Sequence, residues 1–163
     1  MITADSPDVY GYTIFCDDIR VEVGGKLTYV GTYTGTLFIQ SAFPALLHKI
    51  AMSIVYMQRH TIFVPSAKFQ IFLPGTPEDT PMTLDLPEEA VQDAITTARA
   101  MAKNAIGENS YATLAAQLSL TNLVIQEPGL IRVRVVREDQ LIKLGALQVK
   151  QHPNFQDSKP ATT

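Results

Sequence analysis

The stretch Ile19-Arg20-Val21-Glu22-Val23-Gly24-Gly25-Lys26-Leu27-Thr28-Tyr29-Val30 decides the fold class. Ile19 to Val23 alternates apolar and polar side chains, the period of a strand with one buried face. Gly24-Gly25 then stands between two β-like runs. A tight hairpin turn needs φ > 0 at both central positions, and paired glycines supply it. The return strand, 26–33, puts Leu27, Tyr29 and Gly31 on one face and Lys26, Thr28, Val30 and Thr32 on the other. A half-buried antiparallel hairpin therefore lies near the start of the chain.

The same pattern extends outward. Residues 10–16 are aromatic and β-branched and read as a strand, ended by Asp17-Asp18. Residues 34–39 continue the β pattern beyond a kink at Gly35. Residues 43–49 suit a short helical turn with Pro44 at its first position. Residues 50–57 read as strand because Ile54, Val55 and Tyr56 favour it. Residues 61–64 and 68–73 are further strand candidates, split by Pro65-Ser66. Pro74-Gly75-Thr76-Pro77 turns the chain, and a polar connection follows to Asp85.

One helix stands out at about 87–106. Pro87 opens it, and Glu88 and Glu89 complement the exposed N–H groups of its first turn. Val91, Ala94, Ile95, Ala98, Met101, Ala102 and Ala105 recur at helical spacing, and Gly107 suits the C-cap. The apolar stripe is mostly alanine, which permits close approach to a sheet or another chain. Beyond it, residues 112–124 alternate with Leu114, Ala116, Leu118 and Leu120 on one face. Glu127-Pro128-Gly129 turns into 130–136, where Ile131, Val133 and Val135 oppose Arg132 and Arg134. Glu138-Asp139 turns into 141–149, bent near Gly145. The expected fold is mainly β, an antiparallel β-sandwich with one inserted Ala-rich helix. It has an N-terminal arm at 1–7, a single domain at 8–151 and a polar tail at 152–163.

Composition agrees with one folded domain. The chain has 163 residues, 46% of them hydrophobic and 18% charged, against a usual charged share of about 25%. That excludes a disordered chain. A net charge of −3 argues against a general nucleic-acid or acidic-membrane binder. Cys16 is the only cysteine, so no internal disulfide forms. The opening residues lack the basic and apolar regions of a signal peptide, and the apolar run at 50–57 is too short to span a bilayer.

Few residues carry a chemical signature. Asp17 and Asp18 with Glu22 offer oxygen ligands of the kind Ca²⁺ takes, but no acidic loop with further ligands follows. Two aspartates ending a strand is the simpler reading. Cys16 lacks a neighbouring base, since His48, His60 and His152 lie on different elements, and it reads as a small buried hydrophobe. The histidines lack metal-site spacing. Gly24-Gly25-Lys26 lacks the remainder of a phosphate loop. Arg132, Arg134 and Arg137, with Lys143 on the next strand, form a candidate basic stripe. No aromatic residue interleaves them in sequence to stack bases. No catalytic residue, metal or cofactor is assigned.

Two segments together resemble a family. They are Phe15-Cys16-Asp17-Asp18-Ile19-Arg20-x-Glu22-x-Gly24-Gly25-Lys26-Leu27-x-x-Val30-Gly31, with Phe43-Pro44 after it, and a closing set. The closing set is Leu118-x-Leu120-x-Asn122-Leu123, Glu127-Pro128-Gly129 and Gly145-x-Leu147-x-Val149. They resemble a family of small uncharacterised proteins of bacteria and their phages, a domain of unknown function. The resemblance covers about half of the chain, at its two ends, and implies a sandwich fold without an established activity.

The expected function is a non-enzymatic structural or interaction module, a phage virion accessory subunit of the capsid-decoration or tail-associated kind. It would act in a larger symmetric assembly or homo-oligomer, in the virion or in the host bacterium's cytoplasm. Ile2 and Thr3 of the arm, Phe155 of the tail, and Arg132 and Arg134 are its candidate protein-interface residues. The alternative is a host-directed or small-ligand binding protein. An enzyme built on Cys16 or the Asp17-Asp18 pair is the weakest reading.

Overall fold

A computed structural model describes residues 7–104 and 110–155. The fold is mainly β, with one helix, and its sheets are antiparallel except for one parallel pair. Three sheets are formed. The first orders β1 (Val9–Cys16), β5 (Ala45–Arg59) and β8 (Tyr111–Ile125), with β5 central. The second orders β4 (Thr36–Ile39), β10 (Gln140–Gln151), β9 (Gly129–Arg137), β6 (Ala67–Phe72) and β7 (Met82–Asp85). The third is the hairpin of β2 (Asp18–Val21) and β3 (Leu27–Val30).

The two larger sheets share one core. Ile50, Met52, Ile54 and Tyr56 of β5 belong to the same buried cluster as Phe69 and Ile71 of β6 and Ile131, Val133 and Val135 of β9. All nine are fully buried. Burying each such side chain contributes about 1.5–3 kcal/mol. The alternation read across 130–136 and 112–120 is therefore the alternation of core and outer face.

The Gly24-Gly25 hairpin forms, with φ of 82° and 76°. Its loop is one residue longer than a two-residue turn: the N–H of Glu22 donates to Lys26 O, and that of Gly25 to Glu22 O. The hairpin lies against β5, where the hydroxyls of Tyr29 and Ser53 are 3.0 Å apart.

Three local expectations are corrected. Residues 43–49 do not form a helical turn, because β5 begins at Ala45 and pairs with β8 from Ala45↔Ile125 to Arg59↔Tyr111. Pro44 stands just outside that ladder, where its missing N–H costs nothing. Residues 61–64 are not a strand. A 3₁₀ turn spans His60–Ile62, and the amide of Gln58 both donates to Val64 O and accepts from Val64 N, each at 3.0 Å. The connection before Asp85 contains β7, a four-residue edge strand on β6.

Helix α1 (Glu88–Asn104) forms where the periodicity places it. Val91 and Ala98 are buried and Ala94 is half-buried, but Met101 is exposed, so the apolar stripe is only partly covered. Gly107 lies outside the described residues. Near its other end, β8 changes phase: even-numbered residues face the core to Leu120, odd-numbered ones from Leu123. Asn122, with φ 52°, stands at the change. Asparagine is among the side chains that best tolerate this region. The β5–β8 register runs through unshifted, from Lys49↔Thr121 to Leu47↔Leu123.

Candidate interaction face

Strand β9 builds the site by alternation. Its odd residues enter the core, so Arg132 and Arg134 project from the outer face. Phe72, at the end of β6, pairs in register with Arg132. Its ring is only 1% exposed although it lies on the outer side of the sheet. The two arginines account for that burial: their guanidinium carbons lie 5.0 Å (Arg132) and 4.6 Å (Arg134) from the ring centroid. Glu78, from the loop after β6, accepts from Arg132 through Oε1 and from Arg134 through Oε2, the latter at 3.0 Å. The hydrogen bond from Arg132, with the charges of both arginines, holds the Glu78 carboxyl below the usual range.

Lys143 lies opposite Arg134 on β10. The ladder then slips between Lys143 and Gly145, and Leu144 turns into the core. Gly145 takes φ 146° and has no side chain, and Ala146 beside it is small. The result is a depression of about 470 Å³, lined by Leu130, Arg132, Arg134, Lys143, Gly145 and Ala146. Leu130 at its end is 44% exposed. The face joins fixed cations to an apolar anchor.

Two expectations about the stripe are corrected. Arg137 does not belong to it. As an odd-numbered β9 residue it turns to the buried side, is 8% exposed, and donates through Nη2 to Ile62 O. An aromatic does lie among the arginines: Phe72 is distant in sequence, and strand pairing brings it beneath them. Because the guanidinium groups cover its ring, it is a support and not an open stacking surface.

The other candidates are engaged by protein partners. Asp17 accepts from the Tyr33 hydroxyl. Asp18 pairs with Lys49, and with Arg20 at 3.6 Å. The Lys49 hydrogen bond holds the Asp18 carboxyl below its ordinary range. Glu22 is exposed on the hairpin, and among the described residues no group of three His, Cys, Asp or Glu side chains converges on a metal position. Cys16 is buried, and its Sγ lies 3.7 Å from Ala51 O. Burial, then the nearby Asp17 charge, pushes its thiol up, away from the reactive thiolate. His152 packs edge-on against Phe38 at 5.6 Å. Ile2 and Thr3 lie outside the described residues. Phe155 is half-buried in a turn closed by its N–H on His152 O, at 2.9 Å.

One pair had no signal in the sequence. Ser110 Oγ lies 2.8 Å from His60 Nδ1 and donates to Ala98 O at 3.0 Å. The hydroxyl proton is directed at the helix carbonyl, so the imidazole supplies the other hydrogen through Nδ1–H. A histidine donating to a serine does not activate it as a nucleophile. The arrangement ties α1 to the start of β8 and the end of β5. These residues are far apart in sequence, and no motif links them.

Compared with models of known families, with curated proteins and with solved structures, the chain has no significant match.

Proposed function

We propose that this protein is a non-enzymatic interaction module, an antiparallel β-sandwich with one inserted helix, and that its Arg132–Arg134 face docks an acidic segment of a protein partner. The carrying observation is the arrangement of charge: Arg132 and Arg134 share one carboxylate, Glu78, and Lys143 lies beside Arg134 on the same face. The two guanidinium groups are held by Glu78 and over Phe72, so little of their side-chain freedom is lost on binding. Exposed Leu130 beside it suits an apolar contact at the centre of an interface. Covered Phe72 weighs against single-stranded nucleic acid, which needs open aromatic faces.

The resemblance to small proteins of bacteria and their phages supports a virion accessory subunit, decorating a capsid or associated with a tail. The test is the mass and composition of the native particle containing the chain. Co-migration with capsid or tail proteins at a fixed ratio, reduced by Lys143→Glu, is expected. A chain running alone at 17.9 kDa would sink the virion reading. Recovery with one host protein would replace it with a host-directed binding module. Undiminished incorporation of the Lys143→Glu variant would remove the interface from this face.

A further inference from the structure

On the Arg132–Arg134 face, Glu78 stands where a ligand's carboxylate would stand. It comes from the loop between β6 and β7, which is shaped by its own bonds. The N–H of Thr76 donates to Leu73 O at 3.0 Å, and that of Thr80 to Pro77 O at 3.2 Å. The Glu78 side chain is 59% exposed, against 26% for Arg132 and 18% for Arg134. The arginines are therefore the fixed members of the contact, set by the sheet with Phe72 beneath them. The carboxylate is the replaceable member.

The bonding is also less than the pair can give. Oε1 accepts from Nη1 of Arg132 and Oε2 from Nη1 of Arg134, one bond to each guanidinium. A carboxylate that meets a guanidinium squarely makes two parallel bonds, a stronger arrangement. Exposed ion pairs such as these contribute little, so Glu78 is displaced at small cost. Lys143, opposite Arg134 on β10, adds a further cation. Beside the pair lies the depression of about 470 Å³, whose apolar wall is Leu130 with Gly145 and Ala146.

We infer that Glu78 is a built-in competitor for this site: the partner's carboxylate displaces it from between Arg132 and Arg134, and an apolar side chain next to that carboxylate enters the depression. The inference rests on the reading of this face as the dock for an acidic segment. It adds the group that the partner expels and the pattern that the partner carries. A carboxylate with an apolar neighbour is favoured over a run of acids, because Leu130, Gly145 and Ala146 offer a second carboxylate no side-chain donor. The loop also screens partners. A neutral segment gains no contact to offset the departure of Glu78, which discriminates against it.

The test is titration of the full chain, followed by its amide chemical shifts, with an acetylated hexapeptide alternating glutamate and leucine. The wild type is expected to bind it, and Glu78→Gln to bind it about 5-fold tighter, a gain limited by the weakness of exposed ion pairs. Glu127→Gln controls for bulk charge, since Glu127 lines the adjoining recess with Leu130 and Arg132, and it should bind as the wild type does. Both glutamates are exposed, so thermal unfolding of each variant should remain cooperative. A peptide alternating glutamate and serine is expected to bind more weakly. Equal affinity of the wild type and Glu78→Gln would overturn the inference. So would equal tightening by Glu78→Gln and Glu127→Gln, or equal affinity for the two peptides. In those cases the face remains the dock if Lys143→Glu weakens binding. Binding that Lys143→Glu leaves unchanged, or that every form of the chain lacks, would remove the dock and the inference together.

Discussion

The guanidinium group of Arg134 lies 4.6 Å from the ring centroid of Phe72, and this contact closes an aromatic side chain onto the outer face of a sheet. A cation over a desolvated ring contributes about 2 kcal/mol. Phe72→Leu keeps an apolar residue there and removes the ring, so a loss of about 1–2 kcal/mol is expected. Urea unfolding checks it. A double-mutant cycle with Arg134→Met should show coupling, and additivity would mean the stacking contributes nothing.

Glu78 makes stability pH-dependent in a definite direction. Its folded carboxyl titrates below the unfolded one, because Arg132 and Arg134 favour the charged form. The contribution is therefore present above the ordinary glutamate value of about 4.3 and is lost as pH falls through the lower folded value. In Glu78→Gln this part of the acid response should be missing. Parallel stability profiles for the two proteins between pH 5 and pH 2 would contradict the assignment.

Gly11 is required by close approach and not by backbone angle. A Cβ built there would lie 2.3 Å from Val55 O and 2.7 Å from Leu144 Cδ2. The leucine can yield, but the carbonyl belongs to the β1–β5 ladder. Gly11→Ala should cost roughly 1–3 kcal/mol, the usual range for overpacking. An unchanged melting temperature would show that β1 can move away from β5.

Tyr56 is fully buried, and its hydroxyl has no hydrogen-bond partner among the described residues. Burial pushes its phenol up to about 12. An unpaired buried hydroxyl costs about 1–3 kcal/mol. Tyr56→Phe should therefore hold or raise the denaturation midpoint, and a clear drop would show that the hydroxyl is satisfied in solution.

Ser110→Ala tests the tie between α1 and the sheets. It removes the hydroxyl's bonds to His60 and Ala98, at a cost of about 1 kcal/mol. Faster amide exchange confined to α1 and the start of β8 is the expected signature. Uniform change across the chain would assign the serine a global role instead.

Local chemistry determined much of this protein. Alternation in 130–136 placed Ile131, Val133 and Val135 inside and Arg132 and Arg134 outside, because a pleated strand sends successive side chains to opposite faces. Paired glycines located the hairpin, and Pro87, Glu88 and Glu89 with the spaced alanines located the helix. The tertiary structure decided what pairing across distance controls. Ladder bonds to β8 drew 45–49 into a strand against the local signal of Pro44. The parity of Arg137 put it inside, although its neighbours in sequence suggested a continuous stripe. Phe72 came to support Arg132 and Arg134 only because β6 lies beside β9. Periodicity reports which face a residue occupies. It holds no record of which strand lies alongside, since that choice depends on burying both sheets against one core.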